Sequence, residues 1–208
     1  MLREAFERAQ ATQASGIKIE QSSYSLQAVK QLLAARGLDL TPFFALFGAA
    51  NYQAAEFYEE GAAYDTFLGK RRVTNKEISP ASPLKSGEAR INHLANLWRV
   101  YVPGDGVAVD SGLKLKVNLP DTRLGSAASA RIFRVDGTSE LQSFTLAQGG
   151  AGTLTVPFGA GSIKKVLLVL TNASTRTDCY SPNARYTSSC YGRPKDDNLP
   201  YIFEARLI

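Results

Sequence analysis

The chain has 208 residues, 44% apolar and 21% charged, with a net charge of +5 from 24 Lys and Arg against 19 Asp and Glu. This length and composition suit a folded chain of one large or two small domains, able to bury a core without metals or staples. The single histidine, His93, and the pair Cys179 and Cys190 exclude every site needing two histidines, HExxH zinc helices included, and every four-cysteine metal centre.

Residues 1–68 read as helical. Leu2, Phe6 and Ala9 recur at helical spacing, as do Leu26, Val29 and Leu33. Ser25 is placed to cap the second helix and Gly37 to end it. A third helix is expected from Thr41, with Pro42 at its first position. Its buried face is expected to carry Phe43, Leu46, Phe47 and Ala50, and it should continue through Ala54 towards Tyr58 before Gly61. Three such helices make only a small core, so their apolar faces should dock onto a larger neighbour. Residues 69–88 hold Gly69, Pro80, Pro83 and Gly87 with several Ser and Lys, and read as a linker. The basic triplet Lys70, Arg71 and Arg72 lies there with no RNA- or DNA-reading motif beside it, which argues for a solvated linker and no nucleic-acid partner.

From residue 89 the period changes to two. Leu113, Leu115, Val117 and Leu119 alternate with Lys114, Lys116 and Asn118. Leu154, Val156 and Phe158 repeat the pattern, and Tyr201, Phe203, Ala205 and Leu207 form a last strand. Val166–Leu170 is continuously apolar, as in a strand covered on both faces. Further strands are expected at Trp98–Val102, Ala130–Val135 and Leu141–Leu146, with turn residues every 8–12 positions. The fold class is therefore α+β in segregated halves: a helical segment (1–68), a linker (69–88) and an antiparallel β-sandwich, jelly-roll or immunoglobulin-like (89–208). No apolar run is long enough to span a membrane.

Candidate sites are few. His93 has no carboxylate or cysteine near it in sequence and reads as structural. Glu59 and Glu60 point about 100° apart on a helix and cannot converge as an acid/base pair; an interdomain hydrogen bond or ion pair suits them. Asp105, Asp110, Asp196, Asp197 and Asn198 offer oxygen ligands on turns, so calcium is one reading, although such residues are also ordinary turn formers. Trp98, Tyr101, Tyr180, Tyr186 and Tyr191 could form an aromatic platform for sugars or peptides, with Tyr180, Tyr186 and Tyr191 favoured because they lie on a loop. Asn172-Ala173-Ser174 matches a glycosylation acceptor. Cys179 and Cys190 sit in a loop without CxxC spacing and read as a disulfide that adds about 3 kcal/mol by the chain-entropy argument. A stable disulfide implies export, yet Met1–Gln10 is charged and has no signal core, so a signal is expected upstream.

Two stretches carry a family resemblance. SLQAVKQLLAARGLDLTPFFALFGAANYQAAEFYEEGAAY (Ser25–Tyr64) is one; the other is VLLVLTNASTRTDCY (Val166–Tyr180) with SSCYGRPKDDNLPYIFEARL, which ends at Leu207. Together they resemble the C-terminal part of secreted bacterial zinc metallopeptidases, in which an HExxH catalytic domain is followed by closing helices and a β-sandwich with a cystine-closed loop. The resemblance implies that Cys179 and Cys190 pair, and that the signal peptide and zinc helix lie before Met1. No zinc ligand or general base carries over, because this sequence has no HExxH.

The expected function is that of a non-catalytic C-terminal part of a secreted metallopeptidase-like protein, with the sandwich stabilising the peptidase unit or holding substrate or surface. The alternative is a free-standing carbohydrate- or cell-surface-binding module. Neither assigns a catalytic, metal or cofactor residue to this chain; zinc belongs to the parent peptidase. The partners are an upstream peptidase domain or a protein or polysaccharide surface.

Overall fold

In the computed structural model, which describes residues 26–60, 73–176 and 194–208, the apolar run Val166–Leu170 lies in a strand buried on both faces. The helices are α1 (Leu26–Ala34), α2 (Leu40–Ala50) and the single-turn α3 (Ala54–Phe57), with a 3-10 turn at Asn51–Gln53 joining the last two. The strands are β1 (Asn75–Ile78), β2 (Leu84–Ile91), β3 (Ala95–Pro103), β4 (Gly112–Asn118), β5 (Ser126–Arg134), β6 (Ser139–Ser143), β7 (Ala151–Pro157), β8 (Ile163–Asn172) and β9 (Leu199–Leu207). They form a five-stranded sheet, β1-β3-β8-β5-β6, and a four-stranded sheet, β2-β9-β4-β7.

From β2 to β9 the chain changes sheet at every step except β5 to β6, and these eight strands follow the order of a jelly roll. The order separates it from the immunoglobulin arrangement. Pairing is antiparallel throughout except for β1, which adds to the edge of β3 in parallel.

Alternation builds the core. Leu113, Leu115 and Val117 from β4, Ile132 from β5, Val166, Leu168 and Leu170 from β8, and Tyr201 and Ala205 from β9 meet between the sheets. Each large side chain buried there contributes about 1.5–3 kcal/mol. The intervening residues Leu167 and Val169 face outward, where they join Val100, Phe133 and Ala49 of α2. The helix therefore covers the second face of β8, and the layers run helix, sheet, sheet.

Three expectations are corrected. Residues 75–78 and 84–88, read as linker, lie in strands, the second of which runs on to Ile91; Pro80 and Pro83 belong to the connection between them, and Gly87 gives the Phe203 ring room to approach. Of the expected buried face of α2, Ala50 is buried, but Ala45, Gly48 and Ala49 accompany it in place of Phe43, Leu46 and Phe47. Leu46 and Phe47 point outward, 51% and 43% exposed. The helix is apolar nearly all round, so its period does not select a face; close approach to the sheet selects the small residues. Third, the helix starts at Leu40 after Asp39, so Pro42 is its third residue.

Gly37 behaves as expected. At φ +69° it ends α1, with its N–H donating to the Ala34 carbonyl at 3.0 Å and that of Leu38 to Leu33 at 2.9 Å, the paired bonds of a Schellman cap.

Candidate functional site

One end of the sandwich is organised by Asn172, the last residue of β8, which is fully buried. Its amide nitrogen donates to the carbonyls of Asp196 (2.8 Å) and Ile91 (3.3 Å), and its oxygen accepts from the Ser174 N–H at 3.1 Å. Ser174 donates its hydroxyl to the buried Asp196 carboxylate, which also holds Arg176 Nη1 at 3.3 Å. The Lys195 N–H donates to the Arg176 carbonyl at 3.0 Å. Segments 173–176 and 194–198 are thus fastened to each other. Beneath them the Tyr201 hydroxyl donates to the Thr171 carbonyl at 3.2 Å and lies 3.1 Å from Ser126 Oγ. Burial pushes the Tyr201 phenol up to about 12.

This arrangement removes the glycosylation reading. An asparagine with no exposed surface and three hydrogen bonds is a structural anchor, not an acceptor for a sugar.

His93 acquires a carboxylate that sequence distance hid. Asp197 Oδ1 accepts from the His93 backbone N–H at 2.8 Å and lies 2.7 Å from Nδ1 of the ring. The backbone N–H, then the ring, hold the Asp197 carboxyl below the usual carboxylate range. Leu94 (φ +49°) and Asn198 (φ +57°) adopt left-handed backbone beside the two partners. The pair forms a turn-to-turn clasp, and among the described residues no hydroxyl or thiol is hydrogen-bonded to the ring.

Around this end lies a cleft of about 360 Å³. Its walls are Lys30 of α1, Asp39–Pro42 at the start of α2, the turn Thr122–Gly125 between β4 and β5, and Ala173–Arg176. Lys30 Nζ donates to Thr175 Oγ1 at 3.0 Å, bridging helix and sandwich. Arg123 donates to Asp121 through Nε (3.0 Å) and Nη2 (2.7 Å). The periodicity of the sequence could not reveal this cleft, because its walls come from four separated segments.

The other candidates are dispersed. Asp105 and Asp110 lie exposed between β3 and β4, at the opposite end of β3 from Asp197, about 30 Å away along a nine-residue strand. Asp196 and Asp197 are engaged as described, and among the described residues no three His, Cys, Asp or Glu side chains gather as a metal site. Glu59 and Glu60 are exposed just beyond α3. Trp98 is half-buried, donating Nε1–H to the Gly48 carbonyl at 2.9 Å with its ring edge-on to Tyr52; Tyr101 is buried between the sheets. Neither belongs to an exposed platform. Tyr180, Tyr186, Tyr191, Cys179 and Cys190 lie outside the described residues, as do Ser25 and the Lys70–Arg72 triplet.

A further feature went unforeseen. Arg131 is buried on the outer face of β5, with the Phe57 ring 4.2 Å from its guanidinium carbon and Ser139 Oγ at 3.2 Å. Burial draws its pKa down while Glu56 opposes that, and the guanidinium remains charged. It fastens α3 to the sheet through a cation–π contact.

No protein-family model matches the chain, and no curated protein matches it. Among solved structures, it is similar to the pre-peptidase C-terminal domain of a collagenase from Bacillus anthracis, at 10% identity and TM-score 0.35, covering 66% of this chain and 98% of that one. It is also similar to the Yersinia pseudotuberculosis-derived mitogen, at 11% identity and TM-score 0.31, covering 60% and 86%. A periplasmic inhibitor of g-type lysozyme from Aeromonas hydrophila matches at 10% identity and TM-score 0.31, covering 65% and 100%. Scores this low assign no family. Among the described residues no helix is long and apolar enough to cross a membrane.

Proposed function

We propose that this chain is a non-catalytic accessory module of a secreted peptidase-like protein, in which the jelly roll is the binding body and the helical segment joins it to the catalytic unit. One observation carries the reading: α2 spends its small face on the sandwich and keeps its large one outward. Ala45, Gly48 and Ala49 pack inward, whereas Leu46, Phe47, Phe57 and Tyr58 are exposed, with the Phe44 and Phe47 rings stacked at 5.9 Å and Phe47 against Tyr58 at 6.5 Å. A clustered aromatic face of this kind suits a protein partner. The occupant we assign is the preceding peptidase unit, in keeping with the resemblance of Ser25–Tyr64 and Val166–Leu207 to the closing part of secreted zinc metallopeptidases. Zinc would be held by that unit and not by this chain.

Two measurements test it. The chain incubated with zinc and an unstructured protein substrate should leave the substrate intact; chelator-sensitive cleavage overturns the reading. A catalytic domain of the resembled family should bind the chain, and Phe47→Asp should weaken that binding at least tenfold.

A further inference from the structure

We infer that the cleft between α1, α2 and the Asn172 end of the sandwich binds an acidic sugar unit, through the carboxylate of a uronate-bearing polysaccharide. At about 360 Å³ the cleft lies at the small end of ligand-site sizes, room for one or two sugar units. Three cations from three separate segments, Lys30, Arg123 and Arg176, line it against the single carboxylate of Asp39.

Each cation is held in place by the protein yet open to solvent. Lys30 is tied to Thr175, Arg123 to Asp121 and Arg176 to Asp196. The side chains of Arg123 and Arg176 nevertheless remain 73% and 51% exposed. Arg123 gives Nε and Nη2 to Asp121, and Arg176 gives Nη1 to Asp196. Each pre-positioned guanidinium can therefore offer a ligand carboxylate only its other N–H groups, at little further cost in side-chain entropy. Asp39 makes no capping hydrogen bond through its side chain, so replacing its carboxylate breaks no cap bond of α2. Among the described residues, the remaining polar lining consists of hydroxyls, from Thr41, Thr122, Ser174 and Thr175, and no aromatic ring lines the cleft. A lining of hydroxyls and cations suits a hydrated, multiply hydroxylated anion better than an apolar peptide side chain. This inference stands apart from the pairing with a peptidase unit, which uses the Phe47 face.

The test is calorimetry on the intact chain at 0.1 M salt with tri-galacturonate, a neutral galacto-trisaccharide and oligo-glutamate. Tri-galacturonate should bind, with at least tenfold weaker binding to the double variant Lys30→Ala, Arg123→Ala and no heat from the neutral sugar. Asp39→Asn should tighten binding severalfold, because it removes the opposing charge; a purely structural role for Asp39 would not do so. Circular dichroism verifies that both variants remain folded. No binding of tri-galacturonate, equal binding to the double variant, or oligo-glutamate binding as tightly as the sugar would each overturn the inference.

Discussion

Trp98 and Gly48 join the two halves of this protein: the indole N–H of Trp98 on β3 donates to the Gly48 carbonyl of α2 at 2.9 Å. The bond is possible only because residue 48 has no side chain. A Cβ there would overlap the Asn96 amide, which is itself held by the Thr171 hydroxyl at 2.6 Å.

Gly48→Ala should therefore destabilise the fold by about 1–3 kcal/mol, the usual cost of overpacking. Trp98→Phe should cost about 1 kcal/mol for the lost hydrogen bond. Because both act on one contact, the double variant should fall short of the sum in urea denaturation. Strict additivity would show that the helix is not held at this point.

Leu167 and Leu168 are adjacent and both fully buried, but on opposite faces of β8. Either change to Ala should cost about 2–5 kcal/mol. Only Leu167→Ala should loosen α2, shifting Trp98 fluorescence to the red below the unfolding midpoint. An equal shift in Leu168→Ala would contradict the three-layer arrangement.

Asn172→Ala removes three hydrogen bonds and strands buried backbone groups, with an expected loss of about 3 kcal/mol by thermal or urea unfolding. Expression in a glycosylating host should leave Asn172 without a glycan, as read by mass spectrometry. Glycan on the folded protein at this position would show that the β8 end opens.

Acid should destabilise the fold through hydrogen-bonded carboxylates. Arg123 beside Asp121, the Thr138 N–H beside Asp136 and the His93 N–H beside Asp197 each hold a carboxyl below its ordinary range. A depressed folded-state pKa gives stabilisation that is present above the unfolded value of about 3.9 and lost as pH falls through the lower folded value. Carboxyl titration by NMR should place Asp197 below the ordinary value. In His93→Ala it should move only part of the way back, because the backbone N–H at residue 93 remains.

Base should act through Tyr201. Its phenol is pushed up to about 12 by burial, so the stabilisation from the neutral form is full below about 10 and is lost as pH rises through about 12. Absorbance at 295 nm should show this tyrosine ionising together with unfolding, and Tyr201→Phe should remove that component of the transition.

Strand content was legible wherever alternation was strong, as at Leu113–Leu119, or where an apolar run was continuous, as at Val166–Leu170. It was not legible at Asn75–Ile78 and Leu84–Ile91, where all but Ile78 and Ile91 are exposed or half-buried and prolines mask the pattern. Edge strands bury little, so the hydrophobic period that marks a strand is weak in them. The cleft left no local signal, because Lys30 and Thr175 stand 145 positions apart.

By itself the sequence determined the local choices: which segments extend, that β8 must be covered on both faces, and that Gly37 ends α1. These follow from side-chain period and backbone freedom, which act over a few residues. The tertiary structure alone decided which face of α2 turns inward, that Asp197 meets His93 and that Asn172 is an anchor. Each depends on contacts between residues far apart in the chain, where shape and unpaired polar groups choose among faces that local hydrophobicity ranks alike.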